Sequence, residues 1–504
     1  MQRRTFIKSA GVAAAAGAAF SVLKHPRRAD AAWGDWPADK LDAQVPGARQ
    51  AKSVLELYMY GGMNAFDTFY TVPSWGMGQE RFLNAYYPES VQRFGSCGFA
   101  GDLELTEPFA EDGNGETIHL GPWVSPIRLR KDIVERMRII VQRHDLLPHE
   151  GANPYALTGS RLGSPRLAGV GASIQRHFLE QPGGLRATPY AYVLYPGVEF
   201  PTDNVLAASA VGFHPGSARP LSVTVDPNSQ LSALLGRPAV SGRREQFDAA
   251  VDHYLRAYQQ RFRPGGKGAP TRAAERNNYE FAHFARNGAD QLQSVLSADL
   301  FQPISGSTCN DGSDVDRPYM QARMAANLLT RAEDRARYVQ WIDGGLMPNG
   351  SGGHDTHDNH VNDASRNVTH TMQALVDIIN APGEGDPNKI DLDETMIVIN
   401  TEFGRTPHRQ GQDGLNHWPQ GMVNVLIGGP ITKAERGVYG AITEDEGFAQ
   451  TWVSPAENRM LVMMALGIYP FSSQTFAVGD VGGGVKDQHA AALRLMQVYM
   501  GLKP

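Results

Sequence analysis

The chain has 504 residues, 41% hydrophobic and 20% charged, with a formal net charge of −6 at pH 7. That balance is the balance of a globular protein with a sizeable core, and it excludes a disordered or fibrous chain. Two cysteines exclude a disulfide-built scaffold, and the acidic excess argues against nucleic acid or an anionic membrane surface as a partner.

The N-terminus reads MQRRTFIKSAGVAAAAGAAFSV, with Arg3 and Arg4 ahead of a short Ala-rich run. Twin arginines before a weakly apolar region are an address for the twin-arginine export machinery. The run is too short and Gly-interrupted for a permanent membrane span. Ala29-Asp30-Ala31 fits a small-residue cleavage site, so residues 1–31 read as a signal peptide and 32–504 as one large domain with loop and helical insertions. Six positive charges and one negative leave with the leader, taking the net charge from −6 to −11. The mature protein is expected in the periplasm or secreted, with no stable membrane span after cleavage. Cys97 and Cys309 could pair there or stay free and buried, and the sequence leaves both open.

Short apolar runs then alternate with helical periodicity. Residues 54–60 (VLELYMY) read as a buried strand and lead into GGMNAFDTF, with Asn64 and Asp67. Residues 139–141 lead into QRHDLLPHEG, with His144, Asp145 and His149. A helix is expected over 165–180, with Ser164 as N-cap and Pro at its first position. Further helical spacing covers 244–261, 273–300, 319–338 and 368–379. Residues 338–342 precede GGHDTHDNH. Residues 395–399 precede NTEFGRTP, with Glu402 and Arg405, and His417 of NHWP lies just before the run 422–427. Strands alternating with helices indicate an α/β fold with a mainly parallel sheet, whose ligands bind beyond the carboxyl ends of the strands.

GGHDTHDNH follows such a strand. If the chain is still extended there, Asp355 and His357 point to one side and His354, Asp358 and His360 to the other. Together with Asp67, Glu402 and His417, the pair offers mixed oxygen and nitrogen donors. That set suits a divalent ion, zinc or manganese in preference to calcium. The same residues could instead cap helices and bind loop backbones.

The twin-arginine leader, the strand ending in Gly-Gly with DTF soon after, the Asp-Thr-His loop, and TEFGRTP followed by HWP resemble the domain-of-unknown-function 1501 family. That family is similar to a divergent branch of the alkaline phosphatase and sulfatase superfamily. The resemblance runs from about residue 53 to the C-terminus and implies a three-layer α/β/α sandwich, alkaline-phosphatase-like, with metal ligands at strand ends. By position, Asp67 resembles the first metal-binding aspartate, Asp355 and His357 the central ligands, and His417 the late histidine. Glu402 stands where an Asp-His pair is usual, but Phe403 follows it rather than His. The nucleophile that normally precedes a Thr-Gly pair by about nine residues is replaced, counting back from Thr158-Gly159, by His149.

The resemblance therefore implies an exported, metal-dependent hydrolase of phosphate or sulfate esters, acting on an anionic small-molecule or envelope-derived substrate. In it His149 would serve as general base or further ligand, and Arg405 would clamp the anionic group. The competing expectation is a non-catalytic secreted binding or assembly protein on the same scaffold, which the missing hydroxyl or thiol favours. The leader generates the first test: replacing Arg3 and Arg4 with Lys is expected to block export, read by fractionating cells. Unchanged export would remove the twin-arginine reading.

Overall fold

The computed structural model describes residues 32–75, 105, 107–164, 168–181, 191–195, 221–225, 242–261, 295–302, 316–346, 354–411 and 414–502. The leader, Cys97 and Cys309 lie outside the described residues, as does most of the helix expected over 273–300.

Fourteen strands occur among the described residues. In chain order they are β1 (Ser53–Met59), β2 (Ala110–Glu111), β3 (Thr117–Ile118), β4 (Met137–Gln142), β5 (Tyr192–Tyr195), β6 (Leu221–Thr224) and β7 (Tyr338–Asp343). They continue with β8 (Thr395–Asn400), β9 (Gly404–Gln410), β10 (Gly414–Trp418), β11 (Met422–Gly428), β12 (Gly437–Tyr439), β13 (Ala441–Ile442) and β14 (Ala449–Thr451). Eight of them form one sheet in the order β12-β4-β11-β8-β1-β7-β5-β6. β1 pairs in parallel with both β7 and β8, while β11 runs antiparallel between β8 and β4. The sheet is thus mainly parallel, with one reversed strand.

Alternation along β1 sorts its side chains onto two faces. Leu55, Leu57 and Met59 join Met320 and Met324 of helix Arg317–Thr330 and Met372 and Leu375 of helix His360–Asp377 in one buried cluster. Val54 and Tyr58 join Leu157 of helix His149–Thr158, Ile174 of helix Val170–Glu180 and Met460 of helix Pro455–Ala465 in another. Helices therefore cover both faces of an α/β sandwich. This explains why the central strands read as unbroken apolar runs.

Several expected boundaries move. The helix expected over 165–180 begins at Val170 with Gly169 as N-cap, so Ser164 is not its cap. The helical spacing expected over 319–338 belongs to Arg317–Thr330, and Tyr338 already starts β7. The helix expected from residue 368 starts at His360, directly out of the HDTHDNH loop. Among the described residues no helix is long and apolar enough to cross a membrane.

On the second face, Glu56 in mid-β1 is fully buried against fully buried Arg459, whose Nη1 donates to both carboxylate oxygens at 2.6 and 2.8 Å. Tyr338 donates to the same carboxylate, and Asn400 Nδ2 donates to it at 2.8 Å. Breaking a buried pair costs about 3–5 kcal/mol because one charge is left uncompensated. Arg459→Met is expected to lose stability in that range by urea denaturation. Adding Glu56→Gln should restore part of it, whereas a single variant as stable as wild type would show that the pair is not needed.

Candidate metal centre

The carboxyl ends of β1, β4, β7 and β8 share one edge of the sheet, since these strands run the same way. There the chain must turn back from β8 into reversed β11, and the β9–β10 hairpin fills that connection. Two residues make close approach possible. Gly61, at φ +108°, ends β1 where a Cβ would stand 2.2 Å from the Asp355 amide nitrogen, and a Cβ on Gly414 would meet the His357 carbonyl oxygen at 1.5 Å. His354 N donates to Tyr60 O at 2.9 Å and Leu415 N to Thr356 O at 3.2 Å, so the HDTH loop is clamped between the end of β1 and the hairpin.

Three donor atoms converge from these elements. His357 Nε2 and His417 Nε2 lie 3.0 Å apart, and Asp355 Oδ1 lies 3.0 Å from the first and 3.3 Å from the second. The outer nitrogens show why these atoms face inward. His417 Nδ1 is 2.8 Å from the Leu147 carbonyl, which only accepts, so this nitrogen carries the proton and Nε2 keeps its lone pair. His357 Nδ1 is 2.8 Å from Gln410 Oε1, with the same consequence. Two lone pairs and a carboxylate oxygen facing one another repel unless a cation lies among them. The spacing is close to the roughly 3.3 Å between ligand atoms of a tetrahedral site with bonds of about 2.0–2.1 Å. The residues present therefore fit a divalent ion with mixed oxygen and nitrogen donors.

His149, the first residue of its helix, closes the group. Its Nε2 is 3.3 Å from Asp355 Oδ2 and its Nδ1 is 3.0 Å from Oε1 of fully buried Glu402. The atoms of His149, Asp355 and His417 also meet closely enough to hold an ion among themselves. Glu402 Oε1 takes the Gly61 amide at 2.7 Å as well. Phe403 stacks on His417 with ring centroids 4.0 Å apart, and Tyr60 stacks on His149 at 5.3 Å. These flat contacts fix both imidazoles.

The structure thus joins Asp355, His357, His417, His149 and Glu402, but not every expected residue. Asp67 is buried with Asn64, and His360 Nε2 lies 3.7 Å away, so its recorded partners are outside the Asp355 group. Arg405, expected to clamp a substrate anion, is fully buried. It donates to Leu415 O at 3.0 Å and to Gly61 O and Asp355, so its Nη atoms are taken up within the protein and orient Asp355. His354 and His360 find their partners outside the Asp355 group, in Asp343 and in Thr356 and Asp67, and both are buried and not exposed to solvent. His354 Nε2 is 2.7 Å from Asp343 Oδ2, and the Thr371 hydroxyl donates to the same oxygen at 2.8 Å. Sequence reasoning missed Asp343, although an acid ending a strand, the criterion that selected Asp67 and Glu402, was present in WIDGG.

The electrostatics follow from the contacts. Burial would lower the His149 pKa, but hydrogen bonds to Asp355 and Glu402 and the charges of both outweigh it and push it up from 6.5 to about 9. Burial would raise Asp355, yet its contacts with His149 and Arg405 hold it well below the usual carboxylate range.

With this geometry in place, the molecule is defined as an α/β protein carrying a His/Asp donor cluster at the strand ends. The chain matches the family described as Protein of unknown function (DUF1501) over residues 51–457, and it belongs to that family. No curated protein matches it.

The raised His149 pKa predicts a pH dependence in metal-free protein. A raised folded-state pKa stabilises fully below the unfolded value of 6.5, and that contribution is lost as pH rises through about 9. The stability difference between chelator-treated wild type and His149→Gln, measured by urea denaturation, should therefore be largest below pH 6.5 and close across that window. A difference independent of pH would mean that the imidazole is uncharged.

Proposed function

We propose that this protein is an exported metal-dependent hydrolase of phosphate or sulfate esters, on a scaffold related to the alkaline phosphatases and sulfatases. The observation that carries the reading is the convergence of His357 Nε2, His417 Nε2 and Asp355 Oδ1, with both histidines oriented from behind. Such second contacts are what fix metal-ligating imidazoles. Asp355, His357 and His417 would hold the ion, with zinc or manganese favoured by the donor set. A bound divalent ion supplies positive charge that polarises an ester oxygen and makes water more acidic.

The chain's own residues supply the rest. A cation held by Asp355 would oppose the charge on His149, whose Nε2 faces the same centre and could then take a proton from an attacking water, with buried Glu402 on Nδ1 stabilising the imidazolium that forms. Arg405 keeps Asp355 aimed inward. Among the described residues no Ser, Thr or Cys side chain bonds to Asp355, His149 or His417, and water is the nucleophile of this reading. The same observation favours the second reading, a secreted binding or assembly protein that keeps the centre without catalysis.

Elemental analysis separates these readings. Wild-type protein is expected to carry a stoichiometric divalent ion and to hydrolyse p-nitrophenyl phosphate or sulfate. Asp355→Ala and His417→Ala should lose both properties, while Gln410→Ala should weaken metal affinity about tenfold through the orientation of His357. Metal without turnover would favour the binding protein. No ion after metal is supplied would sink both forms of the centre.

A further inference from the structure

A second concavity of about 700 Å³ lies between the C-terminal end of helix His149–Thr158, the start of helix Pro455–Ala465 and the segment Arg494–Tyr499. Its size is that of small-molecule sites, about 300–1,000 Å³. Neither Asp355, His357, His417, His149 nor Glu402 lines it. Tyr155, which does, stands about 9 Å along the helix axis from His149 at the usual rise per residue.

Most of the charges in its wall are already committed. Glu457 Oε1 accepts from Tyr499 OH at 2.6 Å and from Gly482 N at 2.8 Å, and its Oε2 takes Ser454 N at 2.7 Å. Arg161 pairs with Asp145, and Asp480 accepts from Ala477 N at 2.7 Å. Arg494 Nε donates to Tyr499 OH at 3.0 Å, a neutral partner, so this guanidinium can still donate to a ligand oxygen. An oily ligand would need a dry, apolar lining, which the pocket does not provide.

It provides instead an aromatic platform bordered by small polar groups. Trp452 is 42% exposed. The Arg143 guanidinium lies 4.8 Å over one face of its ring and is itself fixed by Gln420 Oε1 at 2.8 Å and Ala449 O at 3.1 Å. The indole is therefore braced from behind. Gln450 and Thr451, exposed beside it, and Ser160 add donors and acceptors. A pyranose ring combines a flat C–H face with a rim of hydroxyls, and aromatic rings with nearby polar groups complement both parts.

We propose that this pocket binds a neutral saccharide, with Trp452 packed against the C–H face of one sugar ring and Gln450, Thr451 and Ser160 bonding its hydroxyls. The proposal is independent of the metal centre. Titration calorimetry of the full chain with maltotriose, cellotriose and chitotriose is expected to find at least one that binds with Kd at or below about 1 mM. Trp452→Ala should weaken that binding about tenfold or more. Because Trp452 is exposed, the variant should fold, which its circular dichroism would verify. Asp355→Ala should leave the affinity unchanged. Absence of binding by all three sugars overturns the proposal. So does binding that survives Trp452→Ala, or binding lost in Asp355→Ala, which would put the sugar at the metal centre.

Discussion

One buried cation organises the strand-end edge. The Arg405 guanidinium touches Gly61 O at the end of β1, Leu415 O in the β9–β10 hairpin and Asp355 in the loop after β7. Three segments far apart in sequence are thereby held at one point. A guanidinium with no exposure is expensive to desolvate, and it persists there only because a carboxylate and two carbonyls surround it. Asp355 in turn is the only acid among the three converging donor groups. The carboxylate that fixes the loop is thus also the one that supplies the cluster's negative charge, part of which Arg405 offsets.

Glu402 and Phe403, just past the end of β8, both bear on the histidines of the cluster. Phe403 lies flat on His417 and restricts its ring. Glu402 sits behind His149 and takes the Gly61 amide. A carboxylate behind an imidazole raises its basicity. Two neighbouring residues thus set the orientation of one imidazole and the charge of another.

Much of this edge was legible in the sequence because its signals are local. Apolar runs located β1, β4, β7, β8 and β11 to within a few residues, since buried strands carry few polar positions. The split of Asp355 and His357 from His354 and His360 came out as alternation gave it, although the chain is not extended there: residues 354–359 turn and bend, and Thr356 N donates to His354 O at 2.9 Å. What was not legible depends on contacts between distant segments. The three carbonyl and carboxylate partners of Arg405 cannot be read from TEFGRTP. β9 was hidden because a strand of Gly, Arg, Thr, Pro and His has no apolar run, and it exists as the arm of a hairpin with β10. The helix from His360 starts earlier than its apolar spacing indicates because its first turns are mostly polar in sequence, His-Val-Asn-Asp-Ala-Ser, ahead of the apolar stripe.

The sheet order has a consequence for the time course of folding. β1 is the first strand of the sheet in the chain, yet its neighbours β7 and β8 both come from the second half. Its backbone donors and acceptors, its apolar side chains and the buried Glu56 cannot be satisfied until that half has been made. Pairings of such long sequence separation are slow to form, because chain closure must precede any gain from contact. A ribosome-bound N-terminal fragment therefore carries an unpaired, aggregation-prone strand, and the donor cluster, built from residues on either side of β8, can assemble only as one of the last events.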